Sequence, residues 1–244
     1  MSQPIFHISD TADQTVVALA DFFVETAKRA IAENGRFSVA LSGGSSPKKL
    51  YELLATPDFS RQLDWDKVDF FFGDERYVPA DHPDSNALMV KKALFDPLRI
   101  PAANIFTVDT SLPPDEAARQ YTEAIQKRYQ AVQVRFDLML LGLGDNSHTA
   151  SLFPHTPVLH DPSVSVKAVF LADQNVYRIT MTAPLINLAH RLAFLVYGKG
   201  KAEAVEAVLN GPEDIENHPA QLLRKAVGEV HWFLDEPAAS ALSR

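Results

Sequence analysis

The sequence contains no cysteine, and that absence removes three classes of function at once. A disulfide framework, a thiolate metal site and a thiol nucleophile all require cysteine side chains, so none of them is possible in this chain. Proteins without disulfides are usual in reducing compartments. We therefore expect a cytoplasmic location.

Long apolar runs and an excess of basic residues are also lacking. No uninterrupted apolar stretch approaches the roughly 18 residues of a membrane helix, and residues 1–10 have neither the basic nor the apolar part of a signal peptide. The 31 acidic and 23 Lys and Arg residues give a net charge of -8, whereas broad nucleic-acid binding needs a basic surface. We expect no membrane and no nucleic acid as a partner, although a few local donors can still bind a small anion.

Helical and strand patterns alternate from end to end, which predicts an α/β fold with a mostly parallel sheet and helices on both faces. The 244 residues suit one large domain or two small ones, and since no repeat or linker is evident we expect a single domain over residues 1–244. The predicted strands are 37–41, 68–72, 105–108, 136–141, 168–171, 178–182, 192–196 and 230–234. The predicted helices are 11–34, 47–54, 85–95, 113–129 and 201–209.

Polar or glycine-rich turns follow three of the predicted strands, at residues 42–45, 73–76 and 142–148. Ligands of open α/β sheets bind beyond the carboxyl ends of the strands. We therefore expect these three turns to form one site.

The first turn has the composition of a phosphate-binding loop. Gly43 and Gly44 allow close approach of the backbone, Ser42 and Ser45 supply hydroxyl donors, and the helix that follows offers free N–H groups. The nucleotide-binding pattern G-x-x-x-x-G-K-[ST] is absent. A plain strand-to-helix turn explains the residues about equally well, so both interpretations stay open at this point.

His148 lies at the end of the third turn, among polar residues. An imidazole is the side chain best suited to proton transfer near neutral pH, although a lone histidine is more often structural. Its spacing from His155 and His160 matches no metal motif, so we expect no metal. Residues 142–144 lack the third glycine of a dinucleotide fingerprint, and the chain contains no G-x-S-x-G serine-hydrolase elbow.

Charged residues near the other turns have two interpretations. Asp74, Glu75 and Arg76 directly follow an apolar strand, which favours a place in a cleft over an ordinary solvated cluster. Without further information Arg178 and Lys201 are typical of solvated flanks, and Asn86 of a helix cap.

Four segments together resemble the 6-phosphogluconolactonase family, over about residues 10–235. They are LSGGSSPKKLYELL from Leu41, FFFGDERYVPADHPDSN from Phe70, DLMLLGLGDNSHTASLFP from Asp137 and RITMTAPLINLAHRLAFLVYGKGKA from Arg178. The resemblance implies a Rossmann-like fold, similar to glucosamine-6-phosphate deaminases and ribose-5-phosphate isomerases. It also implies hydrolysis of the small sugar-phosphate lactone 6-phospho-D-glucono-1,5-lactone to 6-phospho-D-gluconate, in the oxidative pentose phosphate pathway and without a cofactor.

The resemblance implies a role for individual residues. His148 takes the position of the catalytic histidine, the general base that activates water. The other catalytic positions fall on Asp74, Arg76 and Asn146, and the substrate- and phosphate-binding positions on Ser42, Gly43, Gly44, Ser45, Asn86, Arg178 and Lys201.

The chain departs from the family pattern G-x-G-x-D-G-H beside His148. Asn146 stands where an aspartate is usual, and Ser147 where a glycine is usual. An asparagine can hydrogen-bond an imidazole but supplies no negative charge. Whether Asp145 or Asn146 supports His148 is left open by the sequence.

Two alternative functions remain. A glucosamine-6-phosphate deaminase or isomerase shares the loop and the histidine, but its pattern has a glutamate where this chain has Phe153 and a tyrosine where it has Arg76. A non-catalytic sugar-phosphate sensor would keep the loop and Lys201 without needing His148. The sequence allows a monomer or a homodimer.

Overall fold

The core of the fold is a six-stranded parallel sheet, in a computed structural model that describes residues 3–130 and 133–242. The strands are β1 (Ile5–Ser9), β2 (Phe37–Leu41), β3 (Val68–Phe72), β4 (Asp74–Arg76), β5 (Leu138–Leu141), β6 (Val166–Leu171), β7 (Val176–Met181), β8 (Arg191–Val196) and β9 (Glu229–Asp235). The parallel sheet has the order β1-β9-β8-β5-β2-β3. A second, antiparallel sheet has the order β4-β7-β6.

Helices connect the strands, and the longest shows how the sequence sets their limits. It begins after Thr11, which forms a capping box with Gln14, and it ends at Gly35, whose φ of 77° suits glycine. The helices are α1 (Ala12–Asn34), α2 (Ser45–Leu54), α3 (Pro57–Ser60), α4 (Asn86–Val90), α5 (Asp96–Leu98), α6 (Pro114–Arg128), α7 (Ala183–Ile186), α8 (Ala202–Leu209) and α9 (Glu236–Ala239).

The parallel sheet is buried on both faces, because successive residues of its strands enter two different cores. In β3, Phe70 and Phe72 belong to the core that contains Phe23 of α1, whereas Phe71 belongs to the core that contains Tyr121 of α6. All five aromatic side chains are almost completely buried, and each such burial contributes about 1.5–3 kcal/mol. The predicted Rossmann-like architecture with helices on both faces is thereby confirmed.

The order of the strands determines where a ligand can bind. From β2 the chain passes to β3 on one side, whereas β5 pairs with the other side of β2. Such a reversal leaves a crevice beyond the carboxyl ends of the two strands. The turns 42–45 and 142–148 both begin there.

Several details differ from the sequence prediction. Residues 105–108 do not form a strand, since only Ile105 makes an isolated bridge, to Phe70. Residues 74–76 form strand β4 instead of a turn, and β1 was not predicted at all. The predicted helix 85–95 begins at Asn86 and changes to a wider, π-helical turn over Lys91–Phe95.

Among the described residues, no helix combines the length and apolar character needed to cross a membrane. The expectation of a single domain over residues 1–244 stays a prediction.

Candidate active site

A cleft of about 280 Å³ lies beyond the carboxyl ends of β2, β3, β5 and β8. It brings together ten of the eleven residues that the sequence singled out. These are Ser42, Gly43, Gly44, Ser45, Asp74, Arg76, Asn86, His148, Arg178 and Lys201. The eleventh, Asn146, does not line the cleft but contacts His148.

The first turn is held open by close packing between Gly43 and Asn86. A Cβ atom on Gly43 would lie 1.8 Å from Oδ1 of Asn86, so only glycine fits there. Gly44 has a φ of 106° and directly precedes α2, which begins at Ser45. The first backbone N–H groups of a helix have no partner within it and carry a partial positive charge, so the turn can bind an anion.

Asn86 is itself positioned by a buried carboxylate, Glu75. One oxygen of Glu75 accepts hydrogen bonds from the backbone N–H groups of Arg76 and Asn86, each at 2.7 Å, and the other accepts one from Ala87 at 2.8 Å. The amide nitrogen of Asn86 donates to the carbonyl oxygen of Asp74 at 3.0 Å. Burial raises the pKa of Glu75, while the three backbone donors oppose that change.

The imidazole of His148 is fixed from two sides. Its Nδ1 lies 2.5 Å from Oδ1 of Asn146, and its ring stacks on Phe153 with the centroids 4.1 Å apart. A Cβ atom on Gly144 would lie 2.0 Å from Nδ1, so the ring occupies the space that this glycine leaves free. Because an amide oxygen only accepts, the proton of the neutral ring is assigned to Nδ1, and Nε2 is left as the basic atom.

The surroundings of His148 keep it uncharged at neutral pH. The pKa of the imidazole is lowered to about 4, chiefly by burial and further by the positive charges of Lys201, Arg178 and Arg76. The negative charge of Asp145 raises the pKa, but its effect is smaller than that of Lys201 or of Arg178. A neutral imidazole can accept a proton, which a general base requires.

Two arginines face each other across the antiparallel pair β4 and β7, because Arg76 is in register with Arg178. Asp74 lies beside them, buried, and accepts a hydrogen bond of 2.7 Å from Ser151. Burial raises the pKa of Asp74 and lowers that of Arg178. Like charges placed opposite each other destabilise a sheet, so an anion between the two guanidinium groups would be stabilising.

Lys201 supplies the remaining positive charge of the cleft. Its Nζ lies 2.5 Å from a carboxylate oxygen of Asp145, whose side chain is largely exposed. An exposed ion pair of this kind contributes about 0–1 kcal/mol, so a charged ligand can displace it readily.

Sequence reasoning missed two residues that shape the cleft, Tyr51 and Ser151. It favoured a cleft location for Glu75 but did not predict that this carboxylate positions Asn86. Tyr51 holds the backbone of Ser42. Tyr51 lies in the segment that begins at Leu41, but its helical spacing is equally typical of a core residue. Within the described part of the chain, no group of three or more histidine, cysteine, aspartate or glutamate residues is arranged to hold a metal ion.

The fold and the site together define an α/β protein with a glycine-rich turn at a helix N-terminus and an uncharged histidine in one cleft. A family model described as glucosamine-6-phosphate isomerases/6-phosphogluconolactonase matches residues 10–232. The chain belongs to this family, which confirms the resemblance seen in the sequence.

Named relatives cover most of the chain. A 6-phosphogluconolactonase of Synechocystis is 42% identical over 88% of this chain and 88% of its own length, and one of Nostoc is 40% identical over 95% and 96%. The structure of 6-phosphogluconolactonase from Trypanosoma cruzi has a TM-score of 0.89 at 28% identity, covering 100% of this chain and 99% of that one. A monomeric glucosamine-6-phosphate deaminase is similar in fold, with a TM-score of 0.84 at 22% identity.

Proposed function

We propose that this protein hydrolyses 6-phospho-D-glucono-1,5-lactone to 6-phospho-D-gluconate, with His148 as the general base. The observation that carries the proposal is the neutral imidazole in the same cleft as the turn 42–45. A δ-lactone is an activated ester, so water can attack it directly and no covalent enzyme intermediate is needed. The names of the relatives support the choice of substrate.

In the proposed reaction Nε2 of His148 takes a proton from water while the water oxygen bonds to C1 of the lactone. The carbonyl oxygen becomes an oxyanion, which Arg76 or nearby backbone N–H groups stabilise. The bond from C1 to the ring oxygen then breaks, and the imidazolium returns its proton to that oxygen. General acid–base assistance of this kind contributes about 10²–10⁴-fold to the rate.

The phosphate is proposed to bind at the turn 42–45 and to Lys201, which are brought into the same cleft. On arrival the phosphate would replace Asp145 as the partner of Lys201. Arg178 supplies a second positive charge, and the buried carboxylate of Asp74 interacts electrostatically with both arginines. Fixing the phosphate places C1 over the base, and such orientation contributes several kcal/mol to catalysis, up to about 7–11.

The alternative functions fit this site less well. A deaminase would need an acid–base group at Phe153, but that side chain stacks on the imidazole and has no ionisable atom. A passive sugar-phosphate sensor would have no use for an imidazole that burial and three positive charges keep neutral.

The deciding experiment is a discontinuous assay on freshly prepared 6-phosphogluconolactone, corrected for spontaneous hydrolysis, with glucosamine 6-phosphate as the competing substrate. Faster lactone loss without ammonia release is expected. Ammonia release would favour a deaminase, and binding of 6-phosphogluconate without turnover would favour a sensor. The cytoplasmic location and the monomer or homodimer expected from the sequence stay predictions.

A further inference from the structure

Ser147, directly before His148, has an unusual backbone. Its φ is 60°, in the left-handed region where a side chain is disfavoured and glycine is the natural occupant. The residue is also buried, with an exposed fraction of only 2%. A buried serine held in this conformation needs contacts that compensate for the strain.

Those contacts come from a segment remote in sequence. The hydroxyl oxygen of Ser147 lies 3.0 Å from Nδ1 of His218, and its carbonyl oxygen accepts a hydrogen bond of 3.0 Å from the backbone N–H of Ala220. His218 directly precedes a 3-10 helix, Pro219–Lys225, and its own backbone N–H donates to the carbonyl oxygen of Asp214 at 2.8 Å. The main chain that carries the imidazole of His218 is thus held by a contact of its own, independent of Ser147.

The conformation of Ser147 determines where the ring of His148 lies. The turn closes through two hydrogen bonds, from the N–H of Gly144 to the carbonyl oxygen of His148 at 2.8 Å and from the N–H of Ser147 to the carbonyl oxygen of Gly144 at 2.9 Å. The ring rests in the space above Gly144, with no room for a Cβ atom there. A change in φ at Ser147 would therefore rotate the ring away from Gly144 and Phe153.

We propose that His218 is a positioning residue, which holds Ser147 in its left-handed conformation and thereby fixes the imidazole of His148 over Gly144. Its link to reaction rate rests on the proposed lactonase function. Its link to the geometry of His148 does not.

The test is a double-mutant cycle on lactone hydrolysis. His218→Ala is expected to lower kcat about tenfold with little change in KM, since misplacing a catalytic group slows the chemical step. Ser147→Ala, which removes the hydroxyl but keeps the strain, should behave in the same way. In a Ser147→Gly background the strain is gone, so adding His218→Ala should change kcat by less than about twofold.

The second readout is independent of turnover: the NMR titration of the His148 ring. In the unchanged protein we expect a pKa of about 4. In His218→Ala and Ser147→Ala the pKa should rise toward the ordinary value, because a displaced ring is more exposed to water. His160→Ala is the matched control, since it removes an imidazole that contacts Glu216 at 2.6 Å rather than Ser147.

The inference is overturned if His218→Ala leaves both kcat and the His148 titration unchanged, or if it lowers kcat equally with serine and with glycine at position 147. If the protein without any substitution does not hydrolyse the lactone, the proposed function is refuted instead. In that case the titration alone decides the role of His218.

Discussion

Tyr51 and Ser42 exchange two hydrogen bonds: the hydroxyl of Tyr51 accepts from the backbone N–H of Ser42 at 3.0 Å and donates to the carbonyl oxygen of Ser42 at 2.7 Å. Ser42 is the first residue beyond β2, where strand pairing has ended, and its backbone groups are buried. Buried backbone groups need partners. A phenol on α2 supplies both partners and so fixes the start of the turn 42–45, the proposed phosphate site.

We expect Tyr51→Phe to weaken phosphate binding. The ring still fills its site, but two buried backbone groups of Ser42 lose their partner, which destabilises the fold by about 1–3 kcal/mol. The turn becomes less ordered, so KM for the lactone should rise several-fold while kcat changes less. Steady-state kinetics and thermal unfolding measure the two effects.

Tyr121→Phe is the matched control for this prediction. Tyr121 makes the same exchange with the backbone of Phe72 at the end of β3, on the strand next to β2 and in register with Leu41 rather than within the turn itself. Its loss should reduce stability comparably and leave KM close to that of the unchanged protein. An equal rise of KM in both variants would show that Tyr51 acts through general stability only.

His148→Ala tests the base directly. Removing the imidazole should lower kcat by about 10²–10⁴-fold, the usual contribution of a general acid–base group. The product 6-phosphogluconate should still bind, because the turn 42–45 and Lys201 are unaffected, and calorimetry can measure its affinity. Wild-type turnover in this variant would exclude His148 as the base.

Substitutions at the two residues before Ser147 should change the pKa of His148 in opposite directions. In Asn146→Asp a carboxylate replaces the amide that contacts Nδ1, which favours the imidazolium and should raise the pKa by roughly 1–3. Asp145→Asn removes a carboxylate that favours the imidazolium, so the pKa should fall further below its ordinary value. NMR titration of the His148 ring measures both.

The same changes should appear in the pH dependence of kcat/KM. A base works only when deprotonated, so activity is lost as the pH falls through the pKa of His148, about 4 in the free protein. Asn146→Asp should move this acidic limb to higher pH. Because Lys201, Arg178 and Arg76 also face His148, the comparison should be made at constant ionic strength. If the acidic limb lies at the same pH in both variants, it reports the titration of a group other than His148.

The sequence was sufficient to predict the parallel sheet and the three turns. A buried strand appears in the sequence as a short apolar run, and polar residues follow where the strand ends. β1 was missed because its pairing partner β9 lies at the other end of the chain, and a contact between such distant segments cannot be predicted from a local pattern. Residues 105–108 have strand composition, but only Ile105 finds a neighbouring strand. Composition predicts the capacity to pair, and the tertiary structure decides whether a partner is present.

The site residues also include some that the sequence predicted and some that it did not. Gly43 and His148 were found because each lies in a turn that follows a predicted strand and in a segment that resembles the 6-phosphogluconolactonase family. Ser151 and the role of Glu75 were missed because they depend on contacts with segments about ten or more residues away. The role of Ser147 was seen only as a departure from a pattern, since neither a φ of 60° nor the contact with His218 is visible in a sequence.

The packing of Gly43 against Asn86 gives a final prediction. In Gly43→Ala the new Cβ atom would meet Oδ1 of Asn86 at 1.8 Å, and Asn86 cannot move freely because it is buried and donates to the carbonyl oxygen of Asp74. The turn must shift instead, so KM should rise by about an order of magnitude and stability should fall by about 1–3 kcal/mol, the range seen for overpacked sites.

The double variant Gly43→Ala with Asn86→Ala separates this clash from a loss of backbone freedom. Truncating Asn86 opens the space that the Cβ atom needs, so adding Gly43→Ala to Asn86→Ala should change stability by less than about 0.5 kcal/mol. Gly200→Ala controls for replacing a glycine as such, because a Cβ atom there meets nothing within 4 Å. Thermal unfolding of the four variants measures the coupling. Equal destabilisation by Gly43→Ala with and without the Asn86 side chain would mean that glycine is required at position 43 for its backbone rather than for the room that it leaves.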